Sequence, residues 1–207
     1  MRTRRLVTRR LITISGVAGA GKDSIVDGAM PYLRAFGIEG APSVTTREPR
    51  DSDRPGAMIT VSRERFLTMV ALGDMMEHTV VTGNLYATPA NALDAGPHGA
   101  IKIATVDGVR SIADWMEGRG MDPSSQMLSV YVTVPREDAH SRLIARGWDE
   151  ETIRERDSFN LVGYGADAVS PRDGRMWHLI HNPDGKLEEA IERLVQMVRD
   201  FLRSGTS

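Results

Sequence analysis

The chain has 207 residues and a formal net charge of −2, with 41% hydrophobic and 26% charged residues. This composition is typical of one globular domain and provides no overall positive field for binding nucleic acid. The chain contains no cysteine, which excludes disulfides and zinc–thiolate sites and favours the cytoplasm. No apolar run reaches the roughly 18 residues of a membrane span, so we expect no membrane partner.

The N-terminal residues are rich in arginine and lead into the first predicted strand. We expect these arginines to form a solvated tail and the start of the strand rather than a site for an anionic partner. The apolar, β-branched run Leu11–Ile14 is typical of a buried parallel strand. The arginines are Arg2, Arg4, Arg5, Arg9 and Arg10.

A glycine-rich stretch follows this strand. Gly16, Gly21 and Lys22 match the phosphate-binding pattern G-x-x-x-x-G-K-[ST] at all but the last position. Backbone amides in such a loop point at an anion beside a helix N-terminus, and the lysine reaches the β- and γ-phosphates. Asp23 replaces the usual Mg²⁺-binding hydroxyl, but a carboxylate is also a hard oxygen ligand and could bind the metal directly or through water. The predicted ATP-binding residues here are Gly16, Ala18, Gly19, Ala20, Gly21, Lys22, Asp23 and Ser24.

The rest of the chain alternates between predicted strands and helices, which indicates an α/β fold with a central parallel sheet flanked by helices. Pro31 is expected to kink or end the first helix, and residues 118–125 are expected to form a loop. Further strands are predicted at 41–46, 57–61, 75–82, 85–88, 100–106, 127–134 and 176–181. Helices are predicted at 22–36, 63–72, 89–95, 107–117, 135–146, 149–160 and 187–202.

Several segments downstream of the loop resemble guanylate kinase, a nucleoside-monophosphate kinase with the P-loop kinase fold. Ser43–Arg50 reads S-V-T-T-R-E-P-R and resembles the family signature S-x-T-T-R-x-P-R. Glu77 and the later G-N-L-Y-A-T of residues 83–88 are similar to the family's E…G-N-x-Y-G-[ST] segment. Asn182 lies in a segment like the family's V-N-D strand end, beside the adenine. The residues that resemble the family's lid are Arg142, Arg146 and Arg156.

The resemblance implies one domain with a small acceptor-binding lobe at 43–92 and a helical lid at 141–170. The core would comprise residues 11–42, 93–140 and 171–207. In this arrangement the predicted catalytic residues, which stabilise the transferring phosphoryl group, are Lys22, Arg142, Arg146 and Arg156. ATP would be the phosphoryl donor, Mg²⁺ the metal, and small-molecule nucleotides the partners of a monomer or homodimer.

The acceptor site follows from the same resemblance. Arg47, Arg50 and Tyr86 would grip the acceptor phosphate through charge-assisted hydrogen bonds of about 1.5–3 kcal/mol each. Glu77 would accept hydrogen bonds from N1 and N2 of guanine, which adenine does not offer in that arrangement. The predicted base contacts are Ser43, Thr88 and Thr105.

Three departures from the family pattern concern the acceptor and the metal. Asp23 replaces the Mg²⁺-binding hydroxyl, and a phosphate-binding tyrosine is missing near Met58 and Ile59. The strand predicted at 100–106 carries Lys102, and Thr105 stands in place of a base-contacting aspartate. The acceptor is therefore expected to be GMP, dGMP or a modified purine nucleotide.

Two alternatives stay open at this stage. The G-K-D-S loop also resembles ribose 1,5-bisphosphate phosphokinase, which would make the acceptor a sugar phosphate. A catalytically inactive guanylate kinase-like module that binds phosphopeptides belongs to another class. Retention of Gly16, Gly21 and Lys22 argues against the inactive module, because such modules usually lose the loop or its lysine.

Overall fold

The apolar strand that precedes the glycine loop lies at the centre of a five-stranded sheet. A computed structural model describes residues 9–51, 53, 56–81, 83–159 and 177–204, except for the side chains of 155–159. The strands are β1 (Arg10–Ser15), β2 (Ile38–Gly40), β3 (Ser43–Thr45), β4 (Met58–Thr60), β5 (Met75–Val81), β6 (Asn84–Pro89), β7 (Gly99–Ile103), β8 (Met127–Thr133) and β9 (Trp177–His181). The helices are α1 (Lys22–Ala35), α2 (Arg63–Ala71), α3 (Val106–Glu117), α4 (Pro123–Gln126), α5 (Arg136–Ala145), α6 (Glu150–Phe159) and α7 (Leu187–Arg203), with a 3-10 turn at Ala90–Asp94.

The five-stranded sheet has the order β2-β7-β1-β8-β9, and its neighbouring strands are parallel. One face packs against α1 and α7 in the larger apolar core, and the other packs against α3. Both faces of β1 are covered, which explains why its sequence is an unbroken buried run. The predicted α/β fold with a central parallel sheet flanked by helices is confirmed.

A second sheet has four strands in the order β4-β3-β6-β5, with mixed pairing. Its apolar face packs against α2 around Phe66. Because side chains alternate along a strand, the register places Thr45, Tyr86 and Thr88 on the opposite face, with Glu77 beside Thr88. This sheet is formed by residues of the predicted acceptor lobe, whose status as a separate unit stays a prediction. Residues 160–170 of the predicted lid lie outside the described residues.

The structure differs from the sequence predictions at several places. Helix α1 continues through Pro31, which is exposed, because its opposite face is held in the core. Strand β7 ends at Ile103, since Thr105 caps α3. Asp122 caps the short helix α4 in the segment predicted as a loop. The three-residue strand β2 is too short to be recognised from its pattern.

Arg10 begins β1, in agreement with the expected start of the strand, and it is buried, with 7% of its surface exposed. Its guanidinium donates hydrogen bonds to the backbone oxygens of Ser125 and Phe201 and lies 4.7 Å from the centre of the Phe201 ring. A cation beside the carbonyls that end a helix is favourable, so Arg10 anchors the end of α7 to β1. No described helix has the length and apolarity of a membrane span.

Candidate functional site

The glycine loop is shaped by close contacts that leave no room for side chains. Gly19 and Gly21 have φ angles of +78° and +85°. A Cβ atom on Gly19 would lie 2.5 Å from the carbonyl oxygen of Ala139, and one on Gly21 would lie 2.5 Å from Nδ2 of Asn182. The loop therefore packs tightly against α5 and the segment after β9, and glycine is required at both positions.

Lys22 begins α1 and folds back over the loop. Its Nζ donates hydrogen bonds to the carbonyl oxygens of Gly16 at 2.8 Å and Val17 at 2.7 Å. The ammonium group is thus held at the N-terminus of α1, where the helix dipole also favours an anion. Asp23 follows in the first turn and is exposed, and Ser24 is half-buried.

A cleft of about 220 Å³ opens beside this helix start, and Gly21, Ser24, Arg142 and Arg146 contribute to its walls. The remaining lining residues follow β9 in the chain and are Asn182, Pro183, Asp184, Gly185 and Leu187.

Arg142 and Asn182 hold the wall of this cleft against the glycine loop. Arg142 donates to Asp184 Oδ1 at 2.8 Å, to the Gly19 carbonyl at 3.2 Å and to the Asn182 carbonyl at 2.9 Å. The buried Asn182 side chain donates to the Ala20 carbonyl at 2.8 Å. Its Oδ1 is buried and has no hydrogen-bond partner among the described groups. A buried acceptor without a partner is costly, and a ligand amino group would satisfy it.

The polar face of the second sheet carries a buried carboxylate. Glu77 is 9% exposed, and its Oε1 accepts a hydrogen bond of 2.6 Å from the Thr88 hydroxyl. The two residues are paired across β5 and β6. Tyr86 lies two residues earlier on β6, paired with Thr45 of β3. The strand pairing therefore brings Glu77, Thr88 and Tyr86 to one face of the second sheet.

Arg47 lies just after β3 and is 7% exposed. Its guanidinium donates to Asp53 Oδ1 at 2.6 Å and to the Glu48 carbonyl at 2.7 Å. The hydrogen bond with Asp53 raises the pKa of Arg47, with a smaller contribution from Tyr86, and it holds the pKa of Asp53 below its usual value. Arg50 is exposed and donates its backbone N–H to the same carboxylate.

The carboxyl ends of β1 and β7 lie side by side, where the chain enters the glycine loop and α3. Ala104 donates its N–H to the Ile14 carbonyl at 3.0 Å, and the Ser15 hydroxyl donates to the Ala104 carbonyl at 2.8 Å. Thr105 comes next, and its Oγ1 accepts from the N–H of Gly108 at 3.0 Å. A Cβ on Gly108 would lie 3.1 Å from Thr105 Oγ1 and 3.5 Å from Glu77 Oε2, so Glu77 reaches the N-terminus of α3.

Lys102 of β7 is also buried in this region, with 6% of its surface exposed. Its ammonium donates to the hydroxyl of Ser43 and to the carbonyl of Pro42. Burial lowers the pKa of Lys102 to about 8, against an opposing attraction from Glu77. A cation of the first sheet and a carboxylate of the second sheet therefore attract each other where the two sheets meet.

The structure brings most of the predicted residues into two groups. The donor group contains the glycine loop, Asn182 and Arg142, with Arg146 exposed at the rim of the cleft. The acceptor group contains Ser43, Glu77, Thr88 and Thr105, with Arg47 and Tyr86 beside it and Arg50 exposed. The Arg156 side chain lies outside the described residues, and the roles of all these residues stay predictions.

Sequence reasoning missed the partners that hold the arginines. Asp53 lies in a polar loop six residues after Arg47, and Asp184 lies two residues after Asn182. The short separation of Asp53 from Arg47 was an available signal, whereas Asp184 is 42 residues from Arg142 and gave none. The part of the chain that the structure describes contains no cluster of three or more His, Asp or Glu side chains arranged to hold a metal.

Comparison with known proteins places the chain in a family. The family model described as guanylate kinase matches residues 8–152, which span the glycine loop, the second sheet and α5. The chain belongs to the guanylate kinase family. Members of this family are nucleoside-monophosphate kinases, so the predicted enzyme class is confirmed.

Individual relatives agree with this assignment. A guanylate kinase of Alkalilimnicola ehrlichii is 35% identical over 151 residues, which cover 70% of each chain. A guanylate kinase of Rubrobacter xylanophilus is 27% identical over 204 residues, covering 95% of this chain and 96% of that one. The crystal structure of guanylate kinase from Anaplasma phagocytophilum aligns with a TM-score of 0.61 at 19% identity, covering 94% of this chain and 86% of that chain, and supports the fold.

Substitution of Gly19 tests the packing of the loop. In Gly19→Ala, the methyl group meets the Ala139 carbonyl at a positive φ, so we expect a loss of about 3 kcal/mol or more in the free energy of unfolding. Gly120 has a φ of +71° and open space within 4 Å of the position that a Cβ would occupy, so Gly120→Ala should cost only about 1 kcal/mol. Urea denaturation measures both, and equal losses would contradict the close-contact explanation.

Because Lys102 is buried, we expect the free energy of unfolding to change with pH in the alkaline range. The pKa of Lys102 is lowered in the folded state from 10.5 to about 8, so the unfolded chain binds more protons than the folded protein between these pH values. The free energy of unfolding therefore rises as the pH increases from 8 to 10.5, and this gain is lost as the pH falls through 8. Relative to Lys102→Met, the wild type should gain about 2 kcal/mol between pH 7 and pH 9.5. Urea denaturation of both proteins at the two pH values measures this difference, and a wild type that loses stability relative to the variant would contradict it.

Proposed function

We propose that this protein transfers the γ-phosphoryl group of ATP to GMP or dGMP, releasing ADP and the nucleoside diphosphate. An oxygen of the acceptor phosphate forms the new bond to the γ-phosphorus, and the bond to the β–γ bridging oxygen breaks, with its electron pair leaving on ADP. The observation that carries the proposal is the buried Glu77, which is hydrogen-bonded to Thr88 of the second sheet and lies against the N-terminus of α3, the helix that follows the strand next to β1.

The donor side is assigned to the glycine loop and the cleft beside it. The loop amides and Lys22 would hold the phosphates of ATP, since both favour anions at the N-terminus of α1. Lys22 would exchange its bonds to the Gly16 and Val17 carbonyls for bonds to phosphate oxygens. The cleft lined by Asn182 and Arg142 would take the adenine, where Asn182 Oδ1 offers an acceptor to the amino group.

The acceptor side is assigned to the polar face of the second sheet. Glu77 would accept hydrogen bonds from N1–H and the 2-amino group of guanine, while a base without these donors would leave a buried carboxylate poorly satisfied. Arg47 and Tyr86 would hold the acceptor phosphate, and the exposed Arg50 would join them when the phosphate is bound. The phosphate would take the place of Asp53 as the anion on Arg47.

Charge neutralisation accounts for the remaining predicted roles, because phosphoryl transfer requires positioning and electrostatic stabilisation above all. Arg142 and Arg146 lie at the donor cleft, and Arg156 follows on α6. Closure of the predicted lid over the nucleotides would bring Arg146 and Arg156 to the transferring group and exclude water, while Arg142 is already held against the glycine loop.

Magnesium fits the residues at the start of α1. Asp23 supplies an exposed carboxylate one residue after Lys22 and Ser24 a hydroxyl at the cleft, and Mg²⁺ usually binds through one or two such oxygens together with substrate phosphates. When bound, the ion would neutralise charge on the β- and γ-phosphates. We also propose that the protein acts in the cytoplasm.

An acceptor screen tests the proposed reaction. Formation of ADP from ATP should be detected with GMP and dGMP and should be much slower with AMP, CMP, UMP and ribose 1,5-bisphosphate. In Glu77→Gln, kcat/KM for GMP should fall about 100-fold or more, because charged hydrogen bonds to the base are lost. Glu64→Gln, at an exposed position on α2, is the matched control and should leave the rate unchanged.

Two outcomes of this screen would redirect the proposal. Turnover of ribose 1,5-bisphosphate with no effect of Glu77→Gln would support the sugar-phosphate alternative. Absence of turnover with every purine monophosphate would exclude the nucleotide kinase.

Binding of ATP separates a kinase from the inactive binding module. The wild type should bind ATP, and Lys22→Ala should weaken binding about 10- to 100-fold, because an ammonium contact to phosphate is lost. Arg34→Ala removes an exposed positive charge near the C-terminus of α1 and serves as the control. Isothermal titration calorimetry measures the affinities, and a wild type that binds no ATP would favour the inactive module.

A further inference from the structure

Lys102 has no role in the reaction described above, yet its ammonium is buried at the acceptor pocket. It comes from the core sheet, donates to Ser43 of the second sheet, and attracts Glu77 electrostatically. Burial of a lysine is costly unless its charge is compensated. A small apolar side chain at this position of β7 would avoid that cost, so the lysine needs an explanation.

The hydrogen bonds determine which groups in this pocket can donate and which can accept. An ammonium group only donates, so the Ser43 oxygen accepts from Lys102 and the Ser43 hydrogen is left to donate elsewhere. A carboxylate only accepts, so Thr88 uses its hydrogen on Glu77. The pocket therefore has a donating side at Ser43 and Lys102 and an accepting side at Glu77.

We propose that Lys102 is a specificity-determining residue that holds Ser43 as a hydrogen-bond donor and so reserves one side of the acceptor pocket for a ring carbonyl oxygen. This inference rests on the proposed function and adds a second determinant to it. A 6-oxopurine offers a carbonyl oxygen to the donating side and a ring N–H to Glu77. A 6-aminopurine places its amino group against the donors and an unprotonated ring nitrogen against the carboxylate.

Lys102 and Glu77 would recognise different atoms of the base, so substrates that differ in one of these atoms distinguish their effects. IMP keeps the 6-oxo group and the ring N–H of GMP but lacks the 2-amino group. Loss of Lys102 should therefore lower kcat/KM for GMP and IMP together, with little change for AMP. Loss of the Glu77 charge should change the ratio between GMP and IMP, because that carboxylate would bind the 2-amino group.

The experiment measures kcat/KM with GMP, IMP and AMP for Lys102→Met, Lys102→Arg and Arg34→Met. Lys102→Met should lower the GMP-to-AMP ratio about 10- to 100-fold, the value of one charge-assisted hydrogen bond, and leave the GMP-to-IMP ratio unchanged. Lys102→Arg keeps a donor and should restore part of the ratio. Arg34→Met removes an equal charge from an exposed ion pair on α1 and should leave both ratios unchanged.

Ser43→Ala and the double variant test whether Lys102 acts through Ser43. If it does, Ser43→Ala should lower the GMP-to-AMP ratio to a similar degree, and adding Lys102→Met should have little further effect. Fully additive effects would overturn the role of Lys102 in orienting Ser43. Should Lys102→Met fail to fold, Ser43→Ala decides, and an unchanged GMP-to-AMP ratio in that variant overturns the proposal.

Failure of this inference differs from failure of the proposed function. The role of Lys102 alone is overturned if Glu77→Gln lowers the GMP-to-AMP ratio of kcat/KM while a folded Lys102→Met leaves it unchanged. A wild type that turns over no purine monophosphate overturns the proposed function, and the inference with it.

Discussion

The adjacent carboxyl ends of β1 and β7 are the constraint on which the rest of the site depends. The hydrogen bonds of Ala104 with Ile14 and Ser15 join the two strand ends where one chain segment enters the glycine loop and the other enters α3. Ligands of open parallel sheets bind at this edge. Thr105 then caps α3 next to Glu77. If the proposed roles hold, one pair of strands sets the spacing between the proposed phosphate loop and the proposed base contacts.

Groups of the protein hold the side chains of both proposed anion sites. Lys22 is bonded to loop carbonyls, Arg47 to Asp53, and Arg142 to Asp184 and two carbonyls. An arginine that is nine-tenths buried requires a partner, and Asp53 supplies that partner to Arg47. A phosphate carrying about two charges can replace that single carboxylate. Exchange of the carboxylate for a phosphate lowers the affinity for the phosphate. The carboxylate in return gives the guanidinium a defined position.

The parallel core was predictable because its signals are local. Leu11–Ile14 is buried on both sides, and the glycine pattern that follows has few other structural solutions. The arrangement of the second sheet was less accessible, since the pairing of Glu77 with Thr88 depends on a bulge near Met75 and on contacts between distant residues. Resemblance to a family supplied those residues as candidates, whereas composition and periodicity alone left Glu77 as an ordinary strand residue.

The parts that could not be predicted are those in which a charge is buried by tertiary contacts. The sequence places Arg10 at the start of the first strand but does not indicate its burial, in which Ser125 and Phe201 each supply a carbonyl partner. Lys102 reads as an interruption in an apolar strand, and only the approach of Ser43 from another sheet turns it into a bonded group. In both cases the sequence shows the charge, while its partner lies 59 or more residues away. The local sequence pattern therefore identifies the glycine loop well. The arrangement of hydrogen-bond donors and acceptors in the proposed base pocket depends on the assembly of the two sheets.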